Sequence, residues 1–131
     1  MISQEINELL ADKDRSLIEV YLEIQQKFEK KYGENTIVLM EVGSFFEVYG
    51  VDNGKERIGK PKETAEILNI QLTRKNKTIQ ENSVKNPLMA GFPTATFDRY
   101  VNKIISQEKY TLVIIKQKGV PPKVTRYLDR I

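Results

Sequence analysis

Apolar residues recur along this chain with two different periods, and the alternation between them predicts its elements. Leu17, Tyr21, Ile24 and Phe28 fall on one helix face. They predict an amphipathic helix over about residues 14–32, with Asp14 or Ser16 as N-cap and Gly33 as stop. A shorter helix from Ser3 to Leu10 precedes it. TIVLMEV at 36–42 is a β-branched run of the kind found in buried strands, and FFEVYG at 45–50 follows at once. The two form either a hairpin or a strand bent at Gly43-Ser44. Residues 51–61 read as loop, and Pro61 suits the first turn of a helix over KETAEILN.

IQLTR at 70–74 reads as a strand, 75–86 as a mobile polar loop, and PLMAGFP at 87–93 as an extended segment. Thr94 or Thr96 then caps a helix whose apolar stripe is Phe97, Tyr100, Val101, Ile104 and Ile105. YTLVIIKQ at 110–117 is a buried strand, and VTRYLDRI at 124–131 alternates like an edge strand. The chain stops inside that alternation, so more protein is expected beyond it. Residues 1–131 are expected to form one α/β (α+β) domain, with a mixed β-sheet of five or six strands and helices packed around it.

Composition narrows the chemistry. With no cysteine and no histidine, thiol catalysis, Cys/His zinc sites and imidazole acid–base chemistry are excluded. No apolar run is long enough to span a bilayer, and the acidic start lacks a secretory signal pattern, so an intracellular protein without membrane attachment is expected. Charge is divided unevenly: residues 1–70 hold 9 Lys/Arg against 14 Asp/Glu, and residues 71–131 hold 12 against 4. A basic half of this kind suits an anionic partner, of which nucleic acid is the commonest.

The candidate site lies at the start of the second strand. Strand alternation puts Phe46 and Val48 on one face, apolar and therefore core, and Phe45, Glu47 and Tyr49 on the other. The carboxylate makes this second face the wetter one, since an unpaired buried charge is costly. Phe45 is either covered by a loop, with Glu47 paired to a lysine, or it is a wedge that parts base steps from the minor groove. A mismatched base is the cheapest to unstack, so such a wedge selects defects.

VGSFFEVYG resembles the Phe-x-Glu signature of the MutS mismatch-recognition domain, which usually reads Gly-Asp-Phe-Tyr-Glu. Other stretches match in order: YLEI at 21–24, ILNIQLTRK at 67–75 against Leu-Asp-Ile-Ser-Leu-Thr, and NPLMAGFP at 86–93 against Pro-Met-Ala-Gly-Ile-Pro. The likeness runs on through YVNKIISQEKYTLVIIKQ and covers residues 17–131. It implies that Phe45 stacks on a mispaired or unpaired base, that Glu47 hydrogen-bonds this base, and that Phe46 is core. Arg74, Lys75 and the Met89-Ala90-Gly91 turn are implied to lie near the DNA.

The resemblance also implies a DNA-binding module with no catalytic residues and no metal of its own. Its parent would be an ATPase that carries ATP and Mg²⁺ in a C-terminal domain outside this chain, and a homo- or heterodimer that encloses duplex DNA bearing mismatches or small loops. Ser44 stands where the family usually has Asp, and Phe46 where it usually has Tyr, which points to a divergent branch.

Other chemistry is weighed against this. Gly54 to Lys60 mimics a phosphate loop, but Pro61 replaces the required hydroxyl and removes a backbone N–H. A carboxylate–metal nuclease would need Glu47 and Asp52, or Glu41, to converge near Lys55. A protein-binding module would use Phe45 to dock a partner.

Overall fold

The computed structural model describes residues 2–121 and 123–131. Helix α1 (Ile2–Ala11) leads into α2 (Leu17–Tyr32). Of the two N-cap candidates, Ser16 caps α2, its Oγ accepting from the Glu19 N–H at 3.2 Å and so satisfying one of the free donors at the helix start. Gly33 ends the helix at φ 101°, a backbone state that a Cβ disfavours.

The strands are β1 (Thr36–Val42), β2 (Phe45–Asp52), β3 (Arg57–Ile58), β4 (Thr73–Arg74), β5 (Leu88–Pro93), β6 (Thr111–Lys118) and β7 (Thr125–Arg130); α3 (Pro61–Leu68) and α4 (Phe97–Ile105) lie among them. They form one seven-stranded sheet in the order β4-β5-β2-β1-β6-β7, with β3 paired to β2. β1 and β6 are parallel and the remaining pairs antiparallel, so the sheet is mixed as expected. The strand not foreseen is β3, two residues inside the expected loop and too short to show an alternation.

The sheet carries a core on each face. On one, Val38, Met40, Tyr49, Val51, Val113 and Ile115 pack under Ile6, Tyr21, Ile24 and Phe28 of α1 and α2. On the other, Ile37, Leu39, Phe46, Val48, Ala90, Phe92 and Ile114 pack against Ala65 and Leu68 of α3 and Val101 and Ile104 of α4. A sheet buried on both sides explains why β1 and β6 read as continuous apolar runs.

Where β2 diverges from β1, α2 takes over its hydrogen bonding. Gln25 Nε2 donates to Thr36 O at 2.7 Å and Gln25 Oε1 accepts from the Val38 N–H at 3.2 Å. Tyr21 Oη donates to Val38 O at 2.6 Å. Backbone groups buried mid-sheet without these partners would each carry a desolvation penalty.

Three local expectations change. The strand expected over 70–74 is reduced to Thr73 and Arg74, which alone pair with β5. Neither Thr94 nor Thr96 caps α4 through its side chain; residues 94–96 form a 3₁₀ turn in which Thr96 Oγ1 donates to Pro93 O at 2.7 Å. Ile105 drops out of the α4 stripe and is 58% exposed.

The polar loop 75–86, expected to be mobile, is cross-tied by asparagines that imitate ladder bonds. Asn86 Oδ1 accepts from the Asn76 N–H at 2.7 Å, and its Nδ2 donates to Glu81 O at 2.9 Å. Asn82 exchanges two hydrogen bonds with the Asp52 backbone, at 2.7 and 3.0 Å.

Candidate nucleic-acid interface

The β1–β2 hairpin turns on Gly43 and Ser44, with Gly43 at φ 61°, and Val42 pairs with Phe45 across it. This tight turn delivers Phe45 at the end of the sheet, where its side chain is 44% exposed. Phe46, one residue on, points the opposite way into the core, its ring 4.6 Å from Phe97 and 6.0 Å from Phe92. The alternation read from the sequence therefore holds at this pair.

It does not make the whole second face wet. Phe45 is exposed, Glu47 half-buried and Tyr49 buried, because α2 covers the far part of the strand. The Tyr49 ring meets Tyr21 edge-on at 5.1 Å. Its hydroxyl donates to Glu47 Oε1 at 2.6 Å, so a phenol, not a lysine, engages the acid. Burial, and then the Glu47 hydrogen bond, push the Tyr49 phenol well above its ordinary range, so it remains a donor at neutral pH. Across β5 the position facing Glu47 is Gly91, where a Cβ would lie 3.2 Å from Glu47 Cγ; the missing side chain gives the acid its room.

The turn is braced from both flanks. Gln117 donates through Nε2 to Gly43 O and accepts through Oε1 from the Gly43 N–H. Arg126 Nε donates to Glu41 O at 3.0 Å, and the Thr94 N–H donates to Ser44 O at 2.9 Å. Arg126 is half-buried, and this burial lowers its guanidinium pKa against the opposing influence of Tyr49, Glu41 and Glu47 nearby. Lys116 and Lys118 flank Gln117 in β6 on the opposite sheet face, Lys116 Nζ 5.4 Å from the Phe97 ring centroid and 3.8 Å from Asp129 Oδ2, and Lys118 Nζ 5.5 Å from the Tyr127 ring centroid.

The other candidate contacts lie elsewhere. Phe45 pairs with Pro93, whereas Arg74 pairs with Leu88, five residues down β5 and thus about 17 Å along the strand. Arg74 Nε donates to Ile79 O at 2.7 Å and Nη2 to Lys77 O at 3.1 Å, so its guanidinium holds the 75–86 loop together. The Lys75 N–H donates to Pro87 O at 3.0 Å, continuing the β4–β5 edge. Met89 lies opposite Tyr49 and leans on the core beneath α1 and α2.

The metal-nuclease and phosphate-loop readings find no support in this geometry. Asp52 pairs with Lys62 at 3.1 Å and points to the sheet face opposite Glu47. Glu41 also faces away from Glu47 and accepts from the Gln117 N–H at 2.9 Å. Among the described residues no group of three or more acids is placed to hold a metal ion. The segment that mimics a phosphate loop contains β3, and its Lys60 is buried with Nζ 3.5 Å from Glu63 Oε2. Among the described residues no helix is long and apolar enough to cross a membrane.

Sequence reasoning placed Tyr49 on the Glu47 face and Gly91 near the site but not the contact each makes with Glu47, and it missed Gln117 and Arg126. The Glu47–Tyr49 pair was visible as two polar-tipped side chains two apart on one strand. Gln117 and Arg126 reach the turn from more than 70 positions away, and no local pattern marks them.

The fold is an α/β domain, a mixed sheet between two helical layers with an aromatic and an acid carried at one open end. The family model described as MutS domain I matches residues 16–130, and the chain belongs to that family. A mutS homolog of Acanthamoeba polyphaga mimivirus, named as a DNA mismatch repair protein, is 27% identical over 109 residues, which is 82% of this chain and 9% of the relative. The chain thus corresponds to a small part of a much longer relative.

Proposed function

We propose that this domain recognises mispaired or unpaired bases in duplex DNA, using Phe45 as a wedge that stacks on the base and Glu47 as its hydrogen-bond partner. The observation that carries this reading is the exposed Phe45 ring on a braced turn, with a half-buried carboxylate two residues along the same face. An aromatic held in this way can be inserted at a base step with little further loss of conformational entropy. Matched steps resist unstacking and defective ones yield, so selection comes from the deformability of the DNA.

The cations of β6 and β7 supply a sequence-independent, salt-sensitive attraction to phosphate. Lys75 and Arg74 would touch the backbone at a distance from the wedge, Arg74 chiefly by holding its loop, and Met89 would act by supporting Tyr49. The module has no catalytic role of its own. The parent would be a dimeric intracellular mismatch-repair ATPase, with ATP and Mg²⁺ bound in a domain outside this chain.

The test is a fluorescence-anisotropy titration at low salt, comparing matched duplex with G·T and single-unpaired-base duplexes. Wild type should favour the defects. Phe45→Ala should lose roughly tenfold of that preference, the worth of one aromatic–base stack. Equal ratios for the two proteins would refute the wedge.

A further inference from the structure

The hydrogen bond between Tyr49 and Glu47 determines what the acid can offer a base. Tyr49 is fixed by its edge-on contact with Tyr21 and by burial, and its hydroxyl ends 2.6 Å from Glu47 Oε1. A phenol that stays protonated donates, so Oε1 is occupied as an acceptor. Arg126 lies close to both groups. Gly91 leaves space beside Glu47 Cγ, and among the described residues no hydrogen bond or ion pair engages the second carboxylate oxygen, Oε2, of the half-buried Glu47, which is left for an incoming group. An ionised carboxylate accepts hydrogen bonds and donates none.

We infer that Tyr49 is a specificity-determining positioning residue: by holding Glu47 as an acceptor, it makes the site favour displaced bases that present an N–H donor, such as thymine N3–H or guanine N1–H, over bases that present only ring-nitrogen lone pairs at that edge. This rests on the assignment of Phe45 and Glu47 as the reading pair. It adds that selection among defects belongs to the Glu47–Tyr49 pair, while selection of defects over matched DNA belongs to Phe45.

Three duplexes separate these roles: fully matched, with one unpaired thymine, and with one unpaired N3-methylthymine, in which the donor is removed. Wild type should bind both bulges better than matched DNA, and thymine about tenfold better than its methylated form, the worth of one hydrogen bond to a charged group. Tyr49→Phe retains the ring and its packing. It should preserve the preference for bulges but shrink the thymine-to-methylthymine ratio to about twofold or less. Glu47→Ala measures what the methyl group costs by its size alone and should show the same small ratio.

A Tyr49→Phe protein that keeps the tenfold ratio overturns the inference, as does a wild type that binds the two bulges equally. Uniform weakening on all three duplexes would make Tyr49 a packing residue only and overturn it too. If wild type favours neither bulge over matched DNA, the reading of Phe45 falls first and this inference with it.

Discussion

The two ends of β2 obey the same alternation and come out opposite. From Val48 to Val51 every position is buried: Tyr49 and Val51 lie under α2, and Val48 faces α3 and α4. Gly50 is pressed so closely by the β3–α3 connection that a Cβ there would lie 2.5 Å from both Ile58 O and Pro61 Cδ. At the start of the strand Phe46 is buried in the core, yet Phe45 beside it is open. The open end is held by hydrogen bonds from Gln117, Arg126 and Thr94, and the closed end by packing. Rigidity at the open end is thus obtained without covering Phe45, the side chain proposed to do the reading.

The largest effect should come from breaking the closed end. Gly50→Ala forces a methyl group into the Ile58 carbonyl and the Pro61 ring, neither of which is a flexible side-chain end. Overpacking of this kind costs about 3 kcal/mol, and the midpoint of thermal unfolding should fall by roughly 10 °C. Calorimetry checks this; an unfolding midpoint within a degree or two of wild type would mean that β2 and β3 slide apart easily and that the closed end is not held by packing.

Loosening the open end should cost less stability and more function. Gln117→Ala removes both hydrogen bonds to Gly43, groups that water can partly re-satisfy because the turn is exposed. The loss should be about 1 kcal/mol by urea denaturation. The preference for defective over matched duplex should drop about threefold as the Phe45 turn gains freedom. Unchanged discrimination with the expected loss of stability would show that the bracing serves the fold and not the wedge.

This division also explains what could be read from the sequence. The helices, the long strands and the opposed directions of Phe45 and Phe46 are local patterns, governed by periods of 3.6 and 2 residues. The wetness assigned to Tyr49 failed because helix coverage of a face is decided by the length and placement of α2, and alternation is silent on that. β3 escaped because two residues cannot display a period. Loop 75–86 looked mobile because its order comes from Asn76, Asn82 and Asn86 bonding to backbone groups, which composition reads only as polarity. The bracing of the turn by Gln117 and Arg126 is non-local, as is the placement of Arg74 far from Phe45, and both needed the sheet order to be known.

The smallest effect on stability should come from the residue proposed to matter most for binding. Phe45 is 44% exposed and stands outside both buried clusters, so truncation removes little apolar area that folding had taken from water. Its backbone pairs with Val42 and Pro93 whatever side chain it carries. Phe45→Ala should therefore change unfolding free energy by no more than about 0.5 kcal/mol, the range of ordinary surface positions. Urea denaturation beside the anisotropy titration provides the check. A loss of several kcal/mol would mean that Phe45 is structural and that the two ends of β2 differ less than their exposure indicates; a near-zero change with lost discrimination would place its whole contribution in the encounter with DNA.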